Sequence, residues 1–528
     1  MSHRWTVTSS LGPLERPVTV RLAALNAERV VDRMWARDPT LWGGSRDTSE
    51  LLDRLGWLDL PARAGADAAA AQEFVANLGA DVRHVVLCGM GGSSLAPDVL
   101  SRASPAARSP DFRMLDSTHP DAIAATDAAC PARDTLYLIA SKSGTTVETS
   151  SFFSHYWSTT GGAGSQFAAI TDPGSALATL AAARAFRRVW LAPPDVGGRY
   201  SALSVFGLAP AALAGADVAK VARAGEEMVV ACRLSDAAEN PGAWLGAVLA
   251  EAARAGRDKL TILEGQGTGR FGLWAEQLVA ESTGKAGKGM VPVVGEPVGA
   301  PDAYGQDRIF VSVSVQDSGS GALDAALSEL ERAGQPVVRV ALGGGSDLGG
   351  EFFRWEFATA VAGAMLGVNP FDQPNVAGSK ANTADLLRRG VKAGAASSPD
   401  EIRRLLADAG ERDYLAVLAY LPDTEENGRR LRALAARWRD GSRRAVTAGL
   451  GPRYLHSTGQ LHKGGPSTGR FIVVLPAITD DCPVPGADYT FGTLLTAQAA
   501  GDIAALRRRG RPVVQVSRLD ALEKVAWP

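Results

Sequence analysis

Four hydroxyls, one ammonium and one glycine stand together in Ser141-Lys142-Ser143-Gly144-Thr145-Thr146, directly after the short apolar run 135–140. A strand that enters small hydroxyl residues and then a helix aims backbone N–H groups and hydroxyls at one point, an arrangement that binds phosphate. The segment lacks the GxxxxGK[ST] spacing of a P-loop. Thr145-x-x-Glu148 also reads as a capping box, so plain helix capping is the competing explanation. A second turn of the same style, Gly89-Met90-Gly91-Gly92-Ser93-Ser94, follows the apolar run 82–88 and strengthens the phosphate reading. Three further segments set ionisable groups beside chain breakers: Arg199 in GGRYS (197–201), Glu281 in ESTGK (281–285), and His456 and His462 in HSTGQLHKGG (456–465). Taken singly, each reads as structural, and spacing alone does not bring them together. Gly267-x-Gly269-x-x-Gly272 spells a dinucleotide fingerprint after a strand. No strand ending in an acid follows it by about 20 residues, so NAD binding is not expected.

These segments need a scaffold. Strand-like runs at 82–88, 135–140, 167–171 and 188–191 alternate with helical stretches, which predicts a parallel sheet covered on both faces. The polar, proline-broken run 235–242 predicts a domain boundary. A second alternation follows it, with strands at 259–263, 309–315 and 337–342 and helices at 271–281, 323–333 and 352–366. Strands at 471–475 and 513–516 flank a helix at 490–499, and the charged stretch 400–445 is expected to form helices outside the second domain. The fold class is therefore α/β. Two three-layer α/β/α domains with parallel sheets are expected, with N-terminal helices and an elaborated C-terminal region. The boundaries are an N-terminal helical segment 1–64, a first domain 65–235 with the phosphate loops, and a second domain 236–528 whose C-terminal part carries the His motif.

Composition narrows the partners. Of 528 residues, 55 are Lys or Arg and 57 Asp or Glu, so there is no overall field for a polyanion and no nucleic-acid partner is expected. No apolar run approaches the ~18 residues of a membrane span. The four cysteines form no CxxC, so neither a zinc site nor a disulfide framework has a basis in spacing, and reduced thiols in a cytoplasmic protein are expected.

Together, CGMGGSSLAP (88–97), SKSGTTVET (141–149), GGRYSALSVFG (197–207), AESTGKAGKG (280–289), NPFDQPNVAGSK (369–380) and LHSTGQLHKGG (455–465) resemble the glucose-6-phosphate isomerase (phosphoglucose isomerase) family. The resemblance spans nearly the whole chain. SKSGTT is shared by many sugar-isomerase (SIS) proteins, whereas GGRYS, ESTGK and NPFDQP in one chain are specific. RMWARDPTLW (33–42) and DYTFGTLLTAQAAGD (488–502) are similar to the isomerase half of bacterial transaldolase–isomerase fusions.

The resemblance implies a pair of SIS-type domains and an aldose–ketose isomerase that interconverts glucose 6-phosphate and fructose 6-phosphate by ring opening and an enediol(ate). By matched position it implies that Ser93, Ser141, Lys142, Ser143 and Thr146 hold the sugar phosphate. Glu281 would move a proton between C1 and C2, and Arg199 would steady the enediolate and keep Glu281 ionised. His456 and Lys380 would serve ring opening, with Gly91, Gly92, Gly198 and Gln373 near the substrate. No metal or organic cofactor is implied. The residue types fit: a carboxylate can abstract a proton alpha to a carbonyl only where the resulting oxyanion is stabilised, and a guanidinium does so without losing its own proton. Two alternatives remain, a non-catalytic sugar-phosphate sensor, which would not need Glu281 and Arg199, and an isomerase preferring another sugar such as mannose 6-phosphate. In much of the family the His motif precedes the FDQ motif, and the histidine reaches the site from a neighbouring subunit. Here it follows the FDQ motif and has its own strand–helix–strand continuation. His456 is therefore expected to act within its own chain, in a monomer or a homodimer.

Overall fold

The computed structural model describes residues 5–45, 49–103, 110–390 and 394–527, with backbone only at 49–50 and 376–381. The apolar runs that enter the two hydroxyl-rich turns become neighbouring central strands of a parallel sheet, in the order Asp111–Leu115, His84–Gly89, Thr135–Ala140, Phe167–Thr171 and Arg188–Leu191. Alternate side chains leave a strand on opposite faces, so a run apolar throughout is covered on both. Leu87, Leu138 and Ile170 face the largest core, and Val86, Tyr137 and Phe167 face a second cluster that includes Phe152 and Tyr156 of the helix Val147–Thr159.

The second sheet runs Trp5–Ser10, Val337–Leu342, Arg308–Val315, Lys259–Glu264 and Val291–Val294, parallel except for its first strand. Helix Leu348–Leu366, almost wholly buried, packs against the helices Val218–Cys232, Pro241–Arg254 and Phe271–Thr283. The polar run expected to separate domains is a tight turn between those two helices. Asn240 accepts from the Gly242 and Ala243 N–H groups and donates to the carbonyls of Cys232 and Leu234. The largest core passes continuously from the first sheet to the second.

A third parallel sheet, Ala445–Leu450, Tyr414–Ala419, Gly469–Val474 and Val513–Val516, occupies the C-terminal part. Ala416, Leu418 and Val473 on one of its faces share a cluster with Val291 and Val293, which seats it against the edge strand of the second sheet.

Two expectations change. The N-terminal segment opens with the strand Trp5–Ser10, not a helix. Its residues are mostly exposed at a sheet edge, so it carries no apolar signal. The stretch 400–445 is not helical throughout: helices Pro399–Ala407 and Glu425–Ser442 flank the strand Tyr414–Ala419, all six residues of which are buried. The charge of its neighbours concealed that apolar run. No helix among the described residues is long and apolar enough to cross a membrane.

Candidate active site

The turn after Thr135–Ala140 is held by its own side chains. Ser141 Oγ lies 3.1 Å from Thr146 Oγ1 and accepts from the Gly144 N–H at 3.1 Å, and the Ser143 and Thr145 hydroxyls are 2.8 Å apart. Gly144 has φ +70, and a Cβ there would meet the Leu177 nitrogen at 2.4 Å, so the fold of the turn depends on glycine. The expected capping box does not form. Helix Val147–Thr159 begins after Thr146 with no side-chain cap, the Thr146 hydroxyl lying against Ser141 and the Glu148 carboxylate turning toward His456. Its first N–H groups are thereby left for an anion. Lys142 is paired with Asp172 at 2.8 Å.

The Gly91-Gly92 turn approaches two other segments more closely than any side chain would allow. A Cβ on Gly92 would lie 2.2 Å from the Gly198 carbonyl oxygen, and one on Gly91 would lie 2.9 Å from the His456 carbonyl oxygen. Arg199 follows, buried at 4% exposure. It donates to Ser282 Oγ (2.8 Å) and to the carbonyls of Pro370 (2.6 Å) and Asp372 (2.8 Å), and its Nη1 lies 3.5 Å from Glu281 Oε2. One guanidinium thus ties the GGRYS, ESTGK and NPFDQP segments together. Lys285 grips the same loop, paired with Asp372 at 2.5 Å and donating to the carbonyls of Asp372 and Asn369. Burial, and after it the Arg199 charge, pushes the Lys285 ammonium down to about 7, with Asp372 pulling it back up.

Glu281 sits near the end of helix Phe271–Thr283, and its Oε2 accepts from Gln277, one turn earlier, at 3.3 Å. The same amide donates to the His456 carbonyl at 2.7 Å. His456 Nε2 lies 2.8 Å from Glu148 Oε1, which also accepts from Gln498 Nε2 at 2.6 Å, while Gln498 Oε1 accepts from Thr118 at 2.8 Å. The two histidines of the motif part company. His462 is buried beside Tyr414, Tyr454 and Phe471, and burial pushes it well below the usual imidazole range, so it is a neutral core residue.

Every expected site residue except Lys380 lines one cleft of about 260 Å³: Ser93, Ser141, Lys142, Ser143 and Thr146, with Glu281, Arg199 and His456, and with Gly91, Gly92, Gly198 and Gln373. The Lys380 side chain lies outside the described residues; its helix, Val376–Arg389, packs against helix Phe491–Arg508. The sequence reading missed Gln277, Glu148, Gln498 and Arg54. Gln277 is visible as the position one turn before Glu281 on a helix. Glu148 was seen only as a cap, and Gln498 and Arg54 carry no local signal. The dinucleotide-like glycines serve packing: a Cβ on Gly269 would meet the Val99 carbonyl at 2.0 Å, against helix Leu95–Ala103.

Successive parallel sheets, with strand-end turns converging on a hydroxyl-lined cleft that faces a buried carboxylate–guanidinium pair, define a protein of the SIS class. The phosphoglucose isomerase family model matches residues 62–289. Over 373 residues the chain is 32% identical to the glucose-6-phosphate isomerase of Rubrobacter xylanophilus, covering 59% of this chain and 84% of that protein. The chain belongs to the phosphoglucose isomerase family. The glucose-6-phosphate isomerase of Thermosynechococcus vestitus is 26% identical over 437 residues, 71% of this chain and 82% of that protein. Two crystal structures share the fold. A hypothetical protein from Thermus thermophilus superposes with TM-score 0.62 at 23% identity, over 73% of this chain and 100% of that one. A glucose-6-phosphate isomerase from Chlamydia trachomatis superposes with TM-score 0.61 at 18% identity, over 73% and 89%.

Proposed function

We propose that this chain is a glucose-6-phosphate isomerase, interconverting glucose 6-phosphate and fructose 6-phosphate through an enediolate. The observation that carries this reading is the Glu281–Arg199 pair, 3.5 Å apart and nearly excluded from water, in the same cleft as the hydroxyl turn. Phosphate held by Ser141, Ser143, Thr146 and the uncapped helix start fixes one end of the sugar and lays its carbonyl end toward Glu281. His456, oriented by Glu148, exchanges a proton with the ring oxygen, and Lys380, matched by motif, is assigned to the same step. Glu281 then takes the proton from C2 of the open aldose and returns it to C1, while the hydroxyl proton passes between the two oxygens. Arg199 faces the oxygen on which negative charge develops, where a fixed cation in a dry site lowers the barrier most. The hydrogen lost at C2 is regained at C1, so no outside oxidant or reductant is consumed.

Completion of the site within one chain, as a monomer or a homodimer, belongs to this reading. Its support is the contact between His456 and Glu148, 308 positions apart in the same chain. A cytoplasmic setting belongs to it as well, supported by the unpaired buried thiols of Cys88, Cys130 and Cys232. A coupled assay that detects glucose 6-phosphate tests the whole. Purified protein should convert fructose 6-phosphate, and mannose 6-phosphate should be a poorer substrate in the matching assay. A folded protein that turns over neither sugar would overturn the assignment.

A further inference from the structure

A phosphate dianion taken into a cleft is held more strongly when charge meets it as well as neutral hydrogen bonds, because charge-assisted bonds better offset the hydration it gives up. Lys142, the cation expected to meet it, and Arg199, which lines the same cleft, are already engaged. Lys142 lies 2.8 Å from Asp172, and Arg199 faces Glu281 at 3.5 Å while its other N–H groups go to Ser282, Pro370 and Asp372. Each of these charges has a carboxylate beside it, which leaves the cleft close to neutral before substrate arrives.

One further cation lines the cleft. Arg54 comes from the N-terminal segment, is half-buried, and among the described residues its guanidinium is bonded only to the carbonyl of neighbouring Asp53, at 3.1 Å, with no carboxylate partner. The backbone fixes it there. Leu55 bridges to Val196, and the Gly56 N–H donates to the Asp195 carbonyl at 3.0 Å. The turn carrying Arg54 therefore lies along the loop that leads into Gly198, which in turn touches Gly92 beside Ser93. A guanidinium presents a planar fork of donors matched to two phosphate oxygens.

We propose that Arg54 binds the substrate phosphate and supplies the positive charge that the paired cations do not. The N-terminal segment is then part of the substrate site. The inference rests on the sugar-phosphate reading above, and inorganic phosphate allows it to be tested apart from turnover. Calorimetric titration should show Arg54→Gln binding inorganic phosphate roughly ten- to a hundred-fold more weakly than the wild type, the size of one charged hydrogen-bonded contact. KM for fructose 6-phosphate should rise by a similar factor with kcat within about two-fold, and Arg54→Lys should recover part of the loss. The wild type offers a measurement that needs no variant: saturating phosphate should protect Arg54 from an arginine-selective dicarbonyl, read by peptide mass spectrometry. Unchanged phosphate affinity in a folded Arg54→Gln protein, or no protection of Arg54, would overturn the proposal. A raised KM with unchanged phosphate affinity would overturn it too, assigning Arg54 to the sugar hydroxyls. If the wild type binds phosphate but isomerises nothing, the functional reading fails while the titration still decides the role of Arg54.

Discussion

The phosphate turn at 141–146 and the His456 segment line one cleft but are held in different ways. Bonds within six residues fold the turn: Ser141 to Thr146, Gly144 to Ser141, Ser143 to Thr145. The His456 segment takes its position from far away, from Gln277 at a separation of 179 and Glu148 at 308, with Glu148 in turn held by Gln498 at 350. The shape of the 141–146 turn is thus a property of one strand–turn–helix unit, to which the rest of the fold adds Ser93 and the proposed Arg54, while the placing of His456 is a property of the assembled chain. Changes in the first should act on binding, and changes in the second on turnover or on folding.

The sharpest break of that separation is Glu281→Gln. It should lower kcat by ~10²–10⁴ while phosphate affinity holds, measured by steady-state kinetics beside a phosphate titration. A parallel loss of phosphate affinity would show that the two regions are not independent. Next comes a pH effect confined to the His456 side. Glu276, on the helix that carries Glu281, is pushed by burial up to about 7, with Ser457 Oγ at 3.3 Å drawing it down. A carboxyl raised in the fold contributes stability in full below its ordinary value of 4.5, and that contribution is lost as pH rises through about 7, by up to ~3 kcal/mol. Glu276→Gln should remove this decline, seen by comparing urea unfolding at about pH 5 and about pH 8. Glu148→Gln should cost ~10–100-fold in kcat by leaving His456 unoriented, and Gln498→Leu should cost less of the same kind; the pH–rate profile reads both. The smallest effect belongs to the turn. Thr146→Val should raise KM by ~1–2 kcal/mol equivalent and leave kcat unchanged, as loss of one hydrogen bond to a charged group requires.

The same contrast governs what the sequence made legible. Strands Thr135–Ala140, Phe167–Thr171, Val337–Leu342 and Val513–Val516 were read at the bounds found, because each is a short apolar run between breakers. Asp111–Leu115 was missed because it is a half-exposed edge strand, and Val291–Val294 because it is four residues long with Pro292 inside. Tyr414–Ala419 was hidden between charged helices, and with it the third sheet. The phosphate turn was legible because its bonds are local. Motif resemblance brought Arg199, Glu281 and His456 together, and spacing could not have done so. Gln498 lies in the resembling segment 488–502 but carries no local signal and reaches His456 only through Glu148, and Arg54 had neither signal; only the path of the chain delivers it to the cleft.

The reach of His456 into the cleft of its own chain bears on how activity scales with the amount of protein. A site shared between subunits forms by mass action, so complete sites thin out as dilution separates the partners. On the proposed reading the turn, the carboxylate–guanidinium pair and the histidine arrive together when a single polypeptide folds. Complete sites should then be as numerous as folded chains at every concentration, and specific activity should be the same for a separated chain as for a paired one.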